Sequence, residues 1–228
     1  MTPHPNICVS IKPKTNSEAL NLIQKAETAK ADFIEVRLDS LEETRKLSDL
    51  TDATKIPLIA TNKLPSEGGD FSGTQIQRWE TLMNAAKGGF QYVDLDLKNI
   101  KLKENIVDLQ ELGVKTIVSF HRFSGAFTGQ EMQRILSEEV SRGADVCKIV
   151  GTAKQVQDNL TALNFVSENS AKTKLVCFCM GERGRISRLL SPVFGAFFTF
   201  ASVEQGNETA LGQISINEMR TAYSLLRQ

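Results

Sequence analysis

The sequence is poor in the residues on which metal and disulfide chemistry depend. Its 228 residues include only two His and four Cys, and 27 basic side chains balance 27 acidic ones. Two histidines are too few for a His-rich metal site, and the cysteines form neither a CxxC motif nor zinc spacing with a histidine. Zero net charge argues against an electrostatic nucleic-acid or membrane partner. We therefore expect a globular protein that binds no metal, nucleic acid or membrane.

Segments for export or membrane insertion are also lacking. Residues 1–12 contain no basic stretch followed by an apolar one, so we expect no signal peptide. The longest weakly polar run, residues 193–203, is about 11 residues long and too short to span a bilayer. The cysteines lie in apolar runs, where buried free thiols are common, and residues 177 and 179 on one strand face are too far apart for a disulfide. These features predict a cytoplasmic protein with reduced thiols.

Eight short apolar runs alternate with longer segments of helical character. The runs are rich in Val, Ile, Phe or Cys and predict strands at residues 6–11, 33–39, 56–63, 91–97, 115–121, 145–151, 174–180 and 196–202. Between them, Thr15-x-x-Glu18 and Thr128-x-x-Glu131 are typical of capping boxes that begin helices. Glycines at 88–89, 113 and 143 stand where a helix usually ends, and residues 216–226 predict the last helix.

Eight strand–helix units without a change in composition predict the α/β class and a single (β/α)8 TIM barrel over residues 1–228. A doubly wound open sheet is the alternative. That fold usually has a Gly-rich phosphate-binding turn after its first strand, and the Ile-Lys-Pro-Lys segment at 11–14 is not one. The long connection at residues 64–73 is rich in Gly and polar residues, which is typical of a loop at the active-site end of a barrel.

Several predicted strands carry polar side chains at every second position, although strands of a parallel barrel are normally apolar on both faces. The alternating polar residues are Glu35, Arg37, Asp39, Asp94, Asp96, Ser119, His121 and Lys148. Because successive strand side chains point to opposite faces, one face meets the helices and the other directs these groups into the barrel. Burying so many charges without compensation is expensive, so together they indicate a functional site.

Each of these residues by itself also has a structural interpretation. Lys148 could extend to solvent from a strand end, and Glu35 and Arg37 could pair with each other as neighbours on one face. We interpret Asp94 and Asp96 as a satisfied polar layer. The argument for function is therefore the joint occurrence of the group.

Lys148 and His121 make a pair suited to chemistry beside a ketone. Burial and cations such as Arg37 are expected to lower the pKa of Lys148, which gives a neutral amine that can form a Schiff base with a carbonyl. His121 lies on the preceding predicted strand, and neighbouring strands are about 4.8 Å apart, so its imidazole can move protons at the same substrate carbon. His4 lies in a proline-flanked segment, and we expect it to be inert.

Six motifs follow one another along nearly the whole chain. They are IEVRLD at 34–39, EGG at 67–69, VSFH at 118–121, CKIV at 147–150, MGERGRISR at 180–188 and GQISI at 212–216. Together they resemble the type I 3-dehydroquinate dehydratases. The resemblance implies a (β/α)8 barrel, usually a homodimer, that converts 3-dehydroquinate to 3-dehydroshikimate in the shikimate pathway through a lysine Schiff base and without a cofactor.

The resemblance also implies a role for each matching residue. Lys148 would attack the ring ketone, His121 would be the general acid and base, and Glu67 would orient that histidine. The implied substrate-binding residues are Ser10, Glu35, Arg37, Lys63, Arg188, Thr209 and Gln213. Among these, Arg188 would clamp the substrate carboxylate. The implied apolar pocket walls are Phe123, Met180 and Phe200.

Three positions depart from the family pattern. Lys63 stands where the family commonly has Arg, which keeps the charge but loses the bidentate geometry of a guanidinium. Thr209 stands where the family commonly has Ser, so a hydroxyl remains and a methyl group is added. Arg122 follows the histidine where the family often has an acid. None of these changes removes a group needed for breaking the bond.

Two other functions compete with a dehydratase. A class I aldolase is the enzyme alternative, because lysine imines on barrel strands also serve C–C cleavage, and the glycines and arginines of residues 181–185 could hold a substrate phosphate. We expect those glycines to shape the loop that carries Arg188 instead. A barrel retained only for binding is the non-enzymatic alternative. It predicts loss of Lys148 or His121, and both are present.

Overall fold

The computed structural model describes residues 5–226, so His4 and its predicted inertness lie outside the described residues. Eight strands alternate with eight helices in this range. The strands are β1 (Ile7–Ile11), β2 (Phe33–Arg37), β3 (Leu58–Thr61), β4 (Tyr92–Asp96), β5 (Lys115–His121), β6 (Val146–Thr152), β7 (Leu175–Met180) and β8 (Thr199–Ala201). The helices are α1 (Asn16–Thr28), α2 (Ser48–Asp52), α3 (Gln75–Lys87), α4 (Leu102–Glu111), α5 (Gly129–Arg142), α6 (Gln157–Asn169), α7 (Arg185–Leu190) and α8 (Ile216–Leu225).

All eight strands are parallel and form one sheet in the order β7-β6-β5-β4-β3-β2-β1-β8. Near the seam between β7 and β8, the backbone N–H of Phe197 donates to the carbonyl oxygen of Leu175 at 2.8 Å. The sheet is therefore a nearly closed barrel with the helices around it, and the prediction of a (β/α)8 fold is confirmed.

Capping residues explain where several helices begin. Thr128 and Glu131 form the predicted capping box of α5, because each side chain accepts a hydrogen bond from the backbone N–H of the other. At α1 the prediction is only half right. Thr15 accepts from the N–H of Glu18, but the Glu18 carboxylate accepts from the N–H of Lys14 at 2.7 Å. The helix is still capped, since the Thr15 side chain gives the N–H of Glu18 an acceptor.

Six of the eight strands are shorter than their sequence patterns predict, among them β2, β3 and β8. β3 begins at Leu58 because Pro57 before it has no N–H to donate to a ladder. β2 ends at Arg37 because residues 38–40 turn into a short 3-10 helix, in which the Asp39 carboxylate accepts from backbone N–H groups of Lys63 and Asp70. β8 likewise spans three residues rather than the predicted seven.

The inward-facing side chains form layers that change from apolar to polar along the barrel. The layer near the amino ends of the strands belongs to one buried apolar cluster and includes Phe33, Tyr92, Ile117 and Val146. Two residues further along the same strands, the inward face carries Glu35, Asp94, Ser119 and Lys148. The two-residue period thus identified the interior residues correctly. Within residues 5–226, none of the helices has the length and hydropathy needed to cross a membrane.

Candidate active site

Lys148 lies at the centre of the polar layer, on β6. Its Nζ is 2.9 Å from Oδ2 of Asp94 and 3.5 Å from Oε1 of Glu35. The same nitrogen lies 4.3 Å from the centre of the Phe200 ring, and only 5% of the residue is exposed. The lysine therefore does not extend to solvent, and its amine is held between two carboxylates and an aromatic face.

The charge on Lys148 is stabilised more strongly than the sequence suggests. Burial alone would lower its pKa, but the charges of Asp94 and Glu35 and the hydrogen bond to Asp94 raise it above the ordinary 10.5. The prediction that burial and nearby cations lower the pKa of Lys148 is wrong, because the two carboxylates outweigh burial. Lys148 is therefore an ammonium in the free site, and it must lose a proton before it can act as a nucleophile.

Asp94 is a site residue that sequence reasoning did not recognise. Its Oδ1 accepts from Nζ of Lys63 at 2.6 Å and from Oγ of Ser119 at 2.7 Å, while its Oδ2 accepts from Lys148. Burial alone would raise its pKa, but Lys148 and Lys63 hold it far below its ordinary value. The interpretation as a satisfied polar layer was right about the hydrogen bonds. It missed that the satisfying groups are the reactive Lys148 and Lys63, although the inward position of Asp94 on β4, two strands from β6, was a usable signal.

His121 ends β5 beside this cluster and is neutral. Burial, followed by the positive charges of Lys148 and Lys63, lowers its pKa well below the ordinary 6.5. Its ring stacks on Phe123, with 6.2 Å between ring centres and 14° between planes. Within the described residues its Nδ1 is buried without a hydrogen-bond partner. A neutral imidazole in this place can accept a proton at neutral pH.

Glu67 makes a different contact from the one that the resemblance implies. Its Oε2 accepts from Nη2 of Arg78 at 2.6 Å and from the N–H of Leu64 at 3.3 Å. Between residues 5 and 226 no hydrogen bond joins Glu67 to His121. Arg78 itself was missed by sequence reasoning, although it occupies an apolar-stripe position of α3, four residues before the buried Leu82.

Arg37 pairs with Asp39 rather than with Glu35. Its Nε and Nη2 donate to the two oxygens of Asp39 at 2.8 and 2.7 Å, and Nη2 also donates to the carbonyl oxygen of Gly68 at 3.0 Å. Burial would raise the pKa of Asp39, but the hydrogen bonds and charge of Arg37 lower it. The guanidinium is thus fixed at the pocket wall against the glycine-rich loop, and Glu35 is left for other partners.

A chain of hydrogen bonds connects the loop before α8 to Glu35. Gln213 Nε2 donates to Thr209 Oγ1 at 3.1 Å, Thr209 Oγ1 donates to Ser10 Oγ at 2.9 Å, and Ser10 Oγ donates to Glu35 Oε2 at 2.5 Å. Thr61 supplies a further hydroxyl to Glu35 Oε1 at 3.0 Å. Ser10, predicted to bind substrate, instead lies behind Glu35 and supports it. The Thr209 hydroxyl donates to Ser10 even though threonine has a methyl group that serine lacks.

Arg188 is a buried cation that pairs with no acid among the described residues. Only 1% of the residue is exposed, and its guanidinium lies 4.4 Å from the Phe178 ring centre. Its Nη2 donates weakly to the carbonyl oxygen of Leu211 at 3.4 Å, and its Nε has no hydrogen-bond partner among the described residues. Burial lowers the pKa of Arg188 to about 9, so it remains a cation at neutral pH. A buried guanidinium without an acid partner is suited to bind the carboxylate of a ligand.

Arg188 lies on α7 rather than on a loop, and the glycine that precedes this helix shapes its approach to β7. A Cβ on Gly184 would overlap with the backbone carbonyl of Cys179, so the close approach of α7 to β7 requires glycine. Arg183 donates to the carbonyl oxygen of Lys154, and Arg185 pairs with Glu182 at 3.1 Å. The arginines of residues 181–185 are therefore engaged on the protein surface, and neither of them lines the pocket described below.

These groups surround one pocket at the carboxyl ends of the strands. It encloses about 580 Å³ of space not occupied by atoms, including the part open to solvent. All the predicted site residues except Ser10 line it, with the apolar walls made by Phe123, Met180 and Phe200 as expected. In the part of the chain that the structure describes, no group of three or more His, Cys, Asp or Glu side chains could hold a metal ion.

The fold and the pocket define a (β/α)8-barrel enzyme with a buried lysine at the centre of its site. The family model of the type I 3-dehydroquinases matches residues 7–228, and the chain belongs to that family. A 3-dehydroquinate dehydratase from Dehalococcoides mccartyi is 34% identical over 220 residues, which cover 96% of this chain and 95% of that protein.

Solved structures agree with this assignment. The 3-dehydroquinate dehydratase of Geobacillus kaustophilus superposes with a TM-score of 0.91 at 24% identity, covering 98% of this chain and 91% of that one, which concerns the fold alone. The type I enzyme of Clostridium difficile, solved with covalently modified comenic acid, gives a TM-score of 0.86 at 25% identity and covers 97% of this chain and 92% of that one.

Proposed function

We propose that this chain dehydrates 3-dehydroquinate to 3-dehydroshikimate, as a hydro-lyase of the shikimate pathway, through a Schiff base on Lys148. Family membership and the named relatives support the reaction. The single observation that supports the mechanism is that one pocket holds Lys148, the neutral His121 and the unpaired Arg188. These are a latent nucleophile, a base and an anion-binding group.

The charges of the pocket support a substrate with one negative charge. Among the described residues that line it, the lysines face Glu35 and Asp94, Arg37 faces Asp39, and Glu67 faces Arg78. Arg188 is the cation left over. 3-Dehydroquinate carries one carboxylate, and a bidentate pair with Arg188 would complete the balance. Binding there fixes the ring so that its ketone lies towards Lys148.

The reaction then proceeds in steps that the geometry supports. Lys148 gives a proton to His121 and its amine attacks the ring ketone. The protonated imidazole then returns that proton to the carbinolamine hydroxyl, which leaves as water to give an iminium and a neutral His121. The neutral His121 removes the proton from the carbon beside the imine, and the iminium accepts the electron pair. The protonated imidazole then gives its proton to the departing hydroxyl group. Hydrolysis of the conjugated imine releases the product and restores the amine.

The remaining residues bind and enclose the substrate in this proposal. Glu35 and Arg37 hold ring hydroxyls, and Thr209 and Gln213 close the carboxylate end of the pocket. Glu67 acts on the glycine-rich loop through Arg78 rather than on the histidine directly. We further propose that residues 1–228 form one catalytic domain, which works in the cytoplasm as a homodimer and without a cofactor.

Trapping with borohydride tests the imine. Incubation of the protein with 3-dehydroquinate and borohydride is expected to leave a mass adduct on Lys148, located by peptide mass spectrometry. The variant Lys148→Met should give no adduct and no turnover, while Lys115→Met, at the exposed start of β5, should behave like the wild type. An adduct elsewhere, or turnover by Lys148→Met, would contradict the mechanism.

The product separates this proposal from a class I aldolase. A dehydratase forms a conjugated enone, whose absorbance grows as the substrate disappears, whereas an aldolase gives two smaller products. The aldolase alternative needs the arginines at 183 and 185 to hold a substrate phosphate. Arg183 instead donates to a backbone carbonyl, and Arg185 pairs with Glu182. Appearance of two carbonyl fragments from a phosphorylated sugar would reverse the preference.

A further inference from the structure

Two lysines of the pocket share one buried carboxylate. Oδ1 of Asp94 lies 2.6 Å from Nζ of Lys63, and its Oδ2 lies 2.9 Å from Nζ of Lys148. Asp94 has no exposed surface, and both lysines are at least 95% buried. Glu35, at 3.5 Å from Lys148, supplies the second negative charge. The cluster of two acids and two ammonium groups is therefore neutral while both lysines are protonated.

The deprotonation that precedes imine formation removes the charge of only one of these lysines. The N–H bond of Lys148 that breaks gives its proton to a base, and His121 is the neutral base on the neighbouring strand. If Lys148 were the sole cation at Asp94, this step would leave a carboxylate in the barrel interior without any counter-charge. Such a group is strongly disfavoured in a medium of low dielectric constant, so the proton would be hard to remove.

Lys63 has contacts that do not depend on the protonation of Lys148. Its Nζ donates to Oδ1 of Asp94 and, at 2.7 Å, to Oγ of Ser119, and Ser119 donates to the same Oδ1. None of these three hydrogen bonds involves Lys148. Asp94 thus keeps one ammonium and one hydroxyl throughout the reaction. The positive charge of Lys63 also repels that of Lys148, which favours loss of the proton from Lys148.

We propose that Lys63 is a positioning residue, which acts through Asp94: it neutralises that carboxylate so that Lys148 can release its proton and attack the substrate. The catalytic purpose assigned to Lys63 rests on the proposed function, whereas its electrostatic effect on Lys148 does not depend on it. It also assigns Lys63 a role other than the substrate contact implied by the resemblance, because two of its three N–H donors already have partners inside the barrel.

Several strands contribute groups that face Lys148 and influence its titration. Around the amine, the structure places Asp94, Glu35, Cys8, His121, Lys63 and the ring of Phe200. Of these, only Lys63 contributes a further cationic side chain. Replacing it by a neutral side chain removes a repelling charge and gives Asp94 entirely to Lys148. Both changes stabilise the protonated amine, so they act in the same direction.

The test is the pH at which Lys148 becomes reactive in Lys63→Met. In the free protein, trace acetylation with isotopically labelled acetic anhydride and peptide mass spectrometry gives the pH dependence of labelling at Lys148. We expect its midpoint to move to higher pH by about 1 unit or more, within the range by which a neighbouring charge shifts a pKa. The acid limb of kcat/KM for 3-dehydroquinate should move the same way.

Three variants control this experiment. Lys63→Gln, which is uncharged but can still donate to Asp94, should show the same shift, and it replaces Lys63→Met if that variant does not fold by circular dichroism. Lys63→Arg keeps the charge and should restore the wild-type pH dependence. Lys12→Met removes a lysine from a half-exposed pair with Asp70 at 2.8 Å and should leave the labelling of Lys148 unchanged.

The outcomes separate this inference from the proposed function. If Lys63→Met raises KM while the labelling and kcat/KM profiles stay in place, Lys63 is a substrate-binding residue and the inference is wrong. If the wild type shows no dehydratase activity and the labelling of Lys148 still shifts in Lys63→Met, the proposed function fails while the electrostatic role stands. A shift of equal size in Lys12→Met would also overturn the inference.

Discussion

The carboxylate of Asp94 and the ammonium of Lys148 form an ion pair of 2.9 Å inside the barrel, where Asp94 has no exposed surface. This pair holds the lysine protonated in the free site and fixes its position between β4 and β6. The reactive amine is thus stored as an ammonium rather than maintained as a neutral nucleophile. Stability and reactivity therefore depend on the same contact.

Replacing Asp94 by Asn should destabilise the protein. The amide has the shape of the carboxylate but leaves the ammonium groups of Lys63 and Lys148 without their shared acid. Breaking a buried ion pair in this way costs about 3–5 kcal/mol. Urea unfolding at pH 7 measures the loss. Asp96→Asn is the matched control, because Asp96 accepts from the backbone N–H of Lys98 at 2.8 Å, and an amide oxygen can do the same. Equal losses in the two variants would show that the shared ion pair is not the cause.

His121 should make stability depend on pH below neutrality. Its folded pKa lies well below 6.5, so between the two values the unfolded chain binds a proton that the folded chain does not. Unfolding free energy should therefore fall as the pH falls, with a contribution from this residue of about 1.4 kcal/mol per pH unit. His121→Gln should lose that slope between pH 6.5 and 5, as followed by urea unfolding. An unchanged slope would mean that His121 is protonated in the folded protein. His4→Gln is the control and should keep the wild-type slope.

Arg188→Leu should separate stability from substrate binding. The guanidinium is buried without an acid among the described residues, so a leucine there should not lower the free energy of unfolding. Substrate affinity should fall roughly 10- to 100-fold, because a hydrogen bond to a charged group contributes about 1.5–3 kcal/mol. Steady-state kinetics and urea unfolding give the two results. Arg185→Leu, which breaks an exposed pair with Glu182, should leave KM close to the wild-type value. A large loss of stability in Arg188→Leu would argue for an acid partner of Arg188.

The hydroxyl of Thr209 should matter and its methyl group should not. Thr209→Val removes the donor to Ser10 and leaves the Ser10–Glu35 bond without its outer neighbour. We expect KM to rise about 5- to 10-fold, the equivalent of one hydrogen bond of roughly 1 kcal/mol. Thr209→Ser keeps the hydroxyl and should stay close to the wild type. If the two substitutions have equal effects, the chain of hydroxyls does not contribute to substrate binding.

The four cysteines should be unreactive in the folded protein. All are free and buried, and burial raises the pKa of the Cys147 thiol to about 12 and that of Cys179 to about 11. Cys8 and Cys177 are shifted in the same direction by the same cause. Since the thiolate is the reactive form, a disulfide reagent at pH 8 should react slowly in buffer and with all four thiols in denaturant. Rapid reaction of one thiol in buffer would reveal an opening of the barrel wall.

Much of the fold was predictable because its signals are local. Apolar runs separated by amphipathic segments predict alternating strands and helices, and the two-residue period correctly predicts which strand residues face the interior. The ends of β3 and β8 were less predictable. They depend on Pro57 and on the seam with β7, and the seam is a contact between distant parts of the chain.

By itself, the sequence determined the barrel and the inward direction of Glu35, Asp94, His121 and Lys148. It also placed Arg188 after β7, although the structure has this residue on α7 rather than on a loop. The tertiary structure decided which charges meet: Arg37 with Asp39, Glu67 with Arg78, and both lysines with Asp94. The physical reason is that periodicity specifies the face on which a side chain lies. The balance between burial and neighbouring charge, which raised the pKa of Lys148 instead of lowering it, depends on distances of a few ångströms between strands that are far apart in the chain.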